Sequence, residues 1–214
     1  MNFSKTYQTS GKRFFDFLIA IAILLLVSPV LLLVIVLIKF KLGTPVFFLH
    51  CRPGLNRKPF DMIKFRTMTN EKDNQGNLLP NHQRRTKFGD FIRKASIDEL
   101  PELINVLKGE MSIVGPRPLE MRYMEHYTDY QNQRHNVKPG ITGWAQVNGR
   151  NTISWEQKFE YDIWYVNNIS FLLDLKIIFL TFFKVLSSKG VNADEKNTVI
   201  PFDVYLKSKK EEQS

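Results

Sequence analysis

From Phe17 to Ile38 the chain carries 22 residues without a formal charge, interrupted at the centre by Ser28-Pro29. A straight helix of about 22 residues covers a bilayer core of roughly 30 Å. Proline removes the N–H that the Leu25 carbonyl would accept, and its ring crowds that carbonyl, so a helix through Pro29 kinks or breaks. The Ser28 hydroxyl can replace part of the loss. Lys5, Lys12 and Arg13 precede the run, and Lys39 and Lys41 follow it. Basic flanks stay cytoplasmic, which gives both ends the same address. The segment therefore reads as a helix-break-helix hairpin dipping into one leaflet, each leg of about 11 residues reaching roughly 16 Å. A kinked ordinary span with a short outside terminus is the alternative.

The 214 residues divide into a terminal segment and hairpin (1–42), one compact domain (43–189) and a polar tail (190–214) that reads as partly disordered. The net charge of +9 suits an anionic membrane surface, a phosphorylated substrate or nucleic acid. No zinc-finger spacing or aromatic RNA-binding signature is present, and the apolar segment favours membrane and phosphorylated ligand over nucleic acid. A single cysteine, Cys51, excludes an intramolecular disulfide framework and agrees with a reducing cytoplasm. Lys39-Phe40-Lys41 follows the apolar run where a signal peptide would carry small residues, so the run is read as retained.

Beyond the membrane segment, 46–49 and 59–68 read as a hairpin around the turn-rich 52–58. Extended backbone over 60–68 places Lys64 and Arg66 on one face. Residues 70–81 read as a loop, and 84–94 as basic and helical in its second half. Leu100, Leu103, Ile104 and Leu107 fall at helical offsets, with Gly109 as terminator. Arg117, between Pro116 and Pro118, is presented on stiffened backbone. Residues 121–136 read as a polar helix, and 139–150 as turn-rich with a hairpin signal at Asn148-Gly149. Residues 155–167 have helical spacing. The apolar stretch 171–186 is either a core helix or an amphipathic helix lying at the membrane interface.

Asp98-Glu99 begins the 100–107 helix. The pair has a plain structural reading, because carboxylates at a helix N-terminus cap it and favour its dipole. The chemical reading draws on the nearby cations Lys64, Arg66, Arg93 and Arg117. A carboxylate attacking a diphosphate meets like-charge repulsion, which lysine, arginine or magnesium must neutralise. The four histidines have no motif spacing and are given no role.

Lys64-Phe-Arg-Thr-Met68, Ser96-Ile-Asp-Glu-Leu-Pro-Glu102, Gly115-Pro-Arg-Pro-Leu119 and Pro139-Gly-Ile-Thr-Gly143 together resemble the bacterial sugar transferase family, the monotopic polyprenyl-phosphate phosphoglycosyl transferases. Asp16, Ser28-Pro29, Arg52-Pro-Gly-Leu-Asn56, Asn148-Gly-Arg150 and 170–176 match the same pattern. Within the family the chain is most similar to the PglC type, the small initiating enzymes of bacterial N-linked protein glycosylation.

The resemblance implies an α/β, helix-rich α+β domain on a re-entrant hairpin at the cytoplasmic face of the bacterial inner membrane. It implies a ping-pong reaction in which Asp98 takes the phosphosugar from a UDP-sugar, UMP leaves, and undecaprenyl phosphate collects the phosphosugar. Magnesium would sit beside Asp98, with Glu99 assisting the metal or the incoming phosphate, and Lys64, Arg66, Arg93 and Arg117 would be phosphate ligands. UDP-N,N'-diacetylbacillosamine is the leading donor; galactose, glucose and N-acetylhexosamine donors are alternatives. Anionic lipid is a further partner, and a homodimer is an admissible assembly. A direct glycosyltransferase releasing UDP, or a basic membrane scaffold in which Asp98-Glu99 merely caps a helix, are the rival readings.

Overall fold

The computed structural model describes residues 7–149, 153–186 and 200–211, so Arg150 and residues 190–199 of the expected tail lie outside the described residues. Helix α1 (Lys12–Lys41) contains the apolar run. It is a single helical element through Pro29, not the two separate legs expected. The Ser28 hydroxyl donates to the Leu25 carbonyl at 2.9 Å, the acceptor that proline leaves without its usual donor. By length and composition α1 is apolar enough to cross a membrane, and its middle is bare, with Leu25, Leu26, Leu32 and Leu33 all exposed. Its two ends are not. Ala20 packs with Leu103, Val106, Met111 and Ile177, whereas Val34 and Ile38 pack with Phe65 and Ile92.

Strands β1 (Phe47–Pro53) and β2 (Pro59–Phe65) form the expected antiparallel hairpin, with Phe48 opposite Lys64. Helix α2 (Lys87–Lys94) starts at Thr86, whose side chain accepts the Gly89 N–H. Gly89 is forced by contact, because a Cβ there would lie 1.8 Å from the Thr67 carbonyl oxygen. A 3-10 turn (Ile97–Glu99) then leads into α3 (Glu102–Lys108), which Gly109 ends in the left-handed conformation, φ 85°. The buried face of α3 is Glu102, Leu103, Asn105 and Val106, rotated from the one expected. Asn105 explains the rotation. Its side chain accepts from the Ile63 N–H (3.0 Å) and donates to the Asp61 carbonyl (2.8 Å) and to Glu110 (2.7 Å), which bonds α3 to the edge of β2.

Strand β3 (Ser112–Val114) runs parallel to β4 (Gly140–Thr142). The stretch between them is not the one polar helix expected. It consists of short helical turns, Met121–His126, Asp129–Asn132 and Gln133–Asn136. Asn148-Gly149 ends helix α4 (Trp144–Asn148) instead of turning a hairpin, with the Asn148 side chain donating to the Trp144 carbonyl at 2.8 Å. Helix α5 (Trp155–Asn167) opens with a Ser154–Gln157 capping box. Helix α6 (Phe171–Leu186) buries Asp174 and Ile177 on one side and exposes Leu172, Phe179, Phe182 and Phe183 on the other. The buried side agrees with the core-helix reading, and the other side is apolar and exposed. Helix α7 (Phe202–Glu211) closes the described chain.

A buried polar node ties α1 to the domain. Asp174 accepts from Tyr7 (2.6 Å), Lys12 (2.6 Å) and Tyr165 (2.7 Å), while Asp16 accepts the Ile113 N–H at 3.0 Å. The Arg13 guanidinium donates to the carbonyls of Val106 and Leu107, the last turn of α3, where helix acceptors lack partners. The whole is a helix-rich α+β domain with one long apolar helix.

Candidate active site

The motifs Gly115-Pro-Arg-Pro118 and Pro139-Gly-Ile-Thr-Gly143, 21 residues apart in the chain, are the two halves of one backbone clasp. Gly115 N–H donates to the Thr142 carbonyl at 2.9 Å, and Gly140 N–H donates to the Pro116 carbonyl at 3.0 Å. A Cβ on Gly140 would lie 2.1 Å from the Gly115 nitrogen, and one on Gly143 would lie 2.1 Å from the Gly115 oxygen. Only glycine permits this approach. The clasp fixes the backbone on which Arg117 stands. Arg134 fixes it from the other side, its Nη2 donating to the Arg117 carbonyl at 2.7 Å while Nε and Nη2 both donate to Asp162 (3.1 and 2.7 Å). Arg134 and Asp162 are fully buried as a pair.

Arg117 reaches Glu99 with both guanidinium nitrogens, and Lys64 Nζ lies 2.8 Å from Glu99 Oε1 and 3.2 Å from Glu102 Oε1. Burial alone would raise the Glu99 carboxyl, but the Arg117 and Lys64 charges overcome it and hold this group well below the usual carboxylate range. Glu102, almost without solvent contact, is raised by burial and by the Glu99 charge. Asp98 differs from both. It sits inside the 3-10 turn, caps nothing, and makes no hydrogen bond or ion pair with another side chain among the described residues. Burial and the adjacent Glu99 charge push its carboxyl up to about 6. Ser96, which starts the turn, is left-handed at φ 55°, an uncommon conformation for a residue with a Cβ.

Asp98, Glu99 and Arg117 line a cavity of about 780 Å³ together with Arg52, Arg93, Arg134 and Lys158. The apolar part of its wall includes Ile23 of α1, Leu103 of α3 and Ile178 and Val185 of α6. The cavity wall thus combines cations with apolar side chains, one of them from the long apolar helix.

Of the residues singled out from sequence, Asp98, Glu99, Arg93 and Arg117 line the cavity, and Lys64 joins them through Glu99. Arg93 is paired with Asp90. Arg66 is elsewhere: β2 ends at Phe65, so the strand alternation stops short of it, and its guanidinium donates to the carbonyls of Leu42 (2.5 Å) and Thr44 (3.2 Å) beyond the end of α1. Ser28 and Pro29 lie in the middle of α1, apart from the cavity lining. Arg134, Asp162 and Lys158 were not singled out. They lie outside every motif quoted above, and the packing of α5 against the 133–136 turn brings Arg134 and Asp162 together.

Among the described residues no cluster of three or more His, Cys, Asp and Glu side chains could hold a metal. Both Glu99 oxygens face cations, which leaves Asp98 as the one acidic group of the Asp98–Glu99 pair with a carboxylate to offer. Magnesium is commonly held by one or two carboxylates together with substrate phosphates. The residues therefore fit an ion that arrives with a diphosphate and rests on Asp98, and they do not fit one shared with Glu99.

The sequence profile of the bacterial sugar transferase family matches residues 7–188. The chain is 61% identical over 180 residues to the uncharacterized sugar transferase EpsL of Bacillus subtilis, covering 84% of this chain and 89% of that protein. It is 43% identical over 189 residues to the UDP-glucose:undecaprenyl-phosphate glucose-1-phosphate transferase of Escherichia coli, covering 84% of this chain and 41% of that one. To the UDP-galactose-lipid carrier transferase of Erwinia amylovora it is 37% identical over 206 residues, covering 88% and 43%. The chain thus spans about two fifths of the length of these two named transferases. With three of its motifs, 96–102, 115–119 and 139–143, contributing to one cavity and its profile matched over most of its length, the chain belongs to the bacterial sugar transferase family and is a transferase.

Proposed function

We propose that the protein transfers a phosphosugar from a UDP-sugar to undecaprenyl phosphate, with Asp98 as the nucleophile. The observation that carries this reading is the contrast between two adjacent carboxylates: Glu99 is held by Lys64 and Arg117, while Asp98 faces the cavity with no side-chain partner. An Asp98 oxygen attacks the sugar-bearing phosphorus, forming an aspartyl–phosphorus bond as the bond to the bridging oxygen breaks and UMP leaves with that electron pair. An oxygen of undecaprenyl phosphate then attacks the same phosphorus and releases Asp98, giving the lipid diphosphosugar. The Arg117 side chain is 43% exposed and lines the cavity, so it can keep Glu99 while a second donor reaches a phosphate oxygen. Glu99 positions Arg117 and Lys64. Magnesium held at Asp98 would neutralise the diphosphate.

The anchorage follows the same reading. Arg13 at one end of α1 is bonded to α3, and Arg66 bonds Leu42 at the other, so both ends of the apolar helix are fastened to one domain. A helix that crossed the bilayer would carry its ends to opposite faces. We read α1 as re-entrant and the protein as monotopic on the cytoplasmic face of the inner membrane, where Ile23, Ile178 and Val185 offer a lipid tail apolar wall in the same cavity that Arg117 lines.

Because relatives are named for UDP-glucose and UDP-galactose, these two donors are to be tried first, before the N,N'-diacetylbacillosamine donor that the resemblance suggested. Incubation of the purified protein with each UDP-sugar should release UMP from the true donor, and mass spectrometry should find the phosphosugar on Asp98. Asp98→Asn should fold and carry no adduct. Release of UDP, or an active and labelled Asp98→Asn, would overturn this mechanism.

A further inference from the structure

The C-terminal segment, for which the transferase reaction as described has no use, is packed against the cavity. Phe202 is 2% exposed and sits among Tyr123, Tyr127, Trp155 and Phe159, with ring centroids 5.1–5.8 Å apart. Trp155 Nε1–H donates to the Ile200 carbonyl at 2.9 Å. Three polar contacts surround this plug: Arg122 with Asp203 (3.0 Å), the Tyr205 hydroxyl with Glu156 (2.5 Å) and Lys209 with Glu156 (2.7 Å). The segment therefore holds Trp155 on both its ring and its N–H. Pro201, at the start of the plug, and Trp155 are both part of the wall of the cavity that contains Asp98.

Lys158, one turn further along α5, lies in the same wall. Its ammonium is 3.9 Å from the centre of the Trp155 ring, a cation–π contact, and it makes no ion pair or hydrogen bond among the described residues. Its neighbours across the cavity, Arg117 and Arg134, are occupied by Glu99 and Asp162. Burial brings the Lys158 pKa down to about 8, which still leaves the amine mostly charged at neutral pH.

We propose that Lys158, set on the Trp155 ring by the docked segment 200–211, contacts a phosphate of the nucleotide donor, so that the C-terminal segment completes the donor side of the cavity. The proposal rests on the phosphosugar transfer argued above. A ring held by Phe202 and by the Ile200 carbonyl gives the flexible lysine stem one position, and an ammonium that feels the Asp162 charge but makes no ion pair among the described residues can meet an anion.

UMP binding to the full-length protein in detergent, followed by titration calorimetry, tests this without requiring turnover. Lys158→Gln should weaken UMP about tenfold, the loss of one charge-assisted contact, and raise the donor KM by a similar factor. The KM for undecaprenyl phosphate and kcat should stay near wild type, and Lys158→Arg should recover most of the loss. Phe202→Ala, and the milder Phe202→Leu, should weaken UMP in the same direction although neither residue touches the donor. Unchanged UMP affinity in Lys158→Gln would overturn the contact. A loss there with none in folded Phe202→Leu and Phe202→Ala would overturn the role of the segment. A wild type that releases UMP from its donor while Lys158→Gln behaves identically fails this inference alone; a wild type releasing no UMP from any UDP-sugar fails the reading beneath it.

Discussion

Burial and the charge of Glu99 hold the Asp98 carboxyl near 6, and the sign of that shift makes two predictions at the scale of the residue. A nucleophilic carboxylate works ionised, so kcat/KM should rise with pH through about 6 and level off above it; a rate that is flat from 5 to 8 would contradict the assignment. Stability should run the other way. Below 3.8 the group is protonated in both folded and unfolded chains, but between 3.8 and about 6 the unfolded chain gives up a proton that the folded chain retains. Stability therefore falls over that window and stays lowered above it. Asp98→Asn should raise the melting temperature at pH 8, with the gain shrinking toward pH 4, while abolishing transfer. Arg134 is the second test at this scale. Arg134→Met leaves Asp162 charged and buried without a partner, which should cost about 3–5 kcal/mol in denaturant unfolding, and adding Asp162→Asn should recover part of it.

At the scale of elements, the parallel pair β3–β4 does what neither strand could do alone. Each has three residues, yet three glycines let the backbones on either side meet, and Arg117 emerges from the junction. Gly140→Ala should cost about 1–3 kcal/mol, because the added carbon meets a backbone nitrogen that cannot swing aside. Since the displaced segment carries Arg117, transfer activity should fall more than stability does, measured at a temperature where the variant remains folded. The same logic explains the expectations that failed at this level. The hairpin signal at Asn148-Gly149 is local turn chemistry, which also suits the end of a short helix, and the packing of α4 against α5 and α6 decided between them. The alternation placing Arg66 beside Lys64 runs one residue past the end of β2: the Arg66 N–H still donates to the Val46 carbonyl at 2.9 Å, but its guanidinium is taken by the carbonyls of Leu42 and Thr44.

For the whole molecule the decisive relation is that between α1 and the domain. The helix contributes Ile23 to the cavity and Asp16 to the support of β3, and the carbonyl of Leu42, just past its end, accepts from Arg66. An anchor used only for tethering would need none of these contacts. In a Cys51→Ser background, single cysteines at positions 5 and 41 should both react with an impermeant maleimide from the cytoplasmic side of inverted vesicles, and neither from the outside of intact cells. Reaction from opposite sides would establish a span.

The long apolar helix, the helices at 155–167 and 171–186, and the family were all legible in the sequence. The helices depend on residue type and periodicity, which local chemistry dictates, and the family rests on the resemblance of the motifs at 64–68, 96–102, 115–119 and 139–143. The apolar run needs only its length and flanks, and Gly109 needs only its freedom at positive φ. What the folded chain alone decided is which charges meet. Lys64, Glu99, Glu102 and Arg117 are spread over 54 residues, and Arg134 with Asp162 lies outside every motif used. A lone arginine in sequence is compatible with solvent, a carbonyl or a phosphate. Its partner is fixed by long-range packing, and so is the difference between a held Glu99 and an open Asp98.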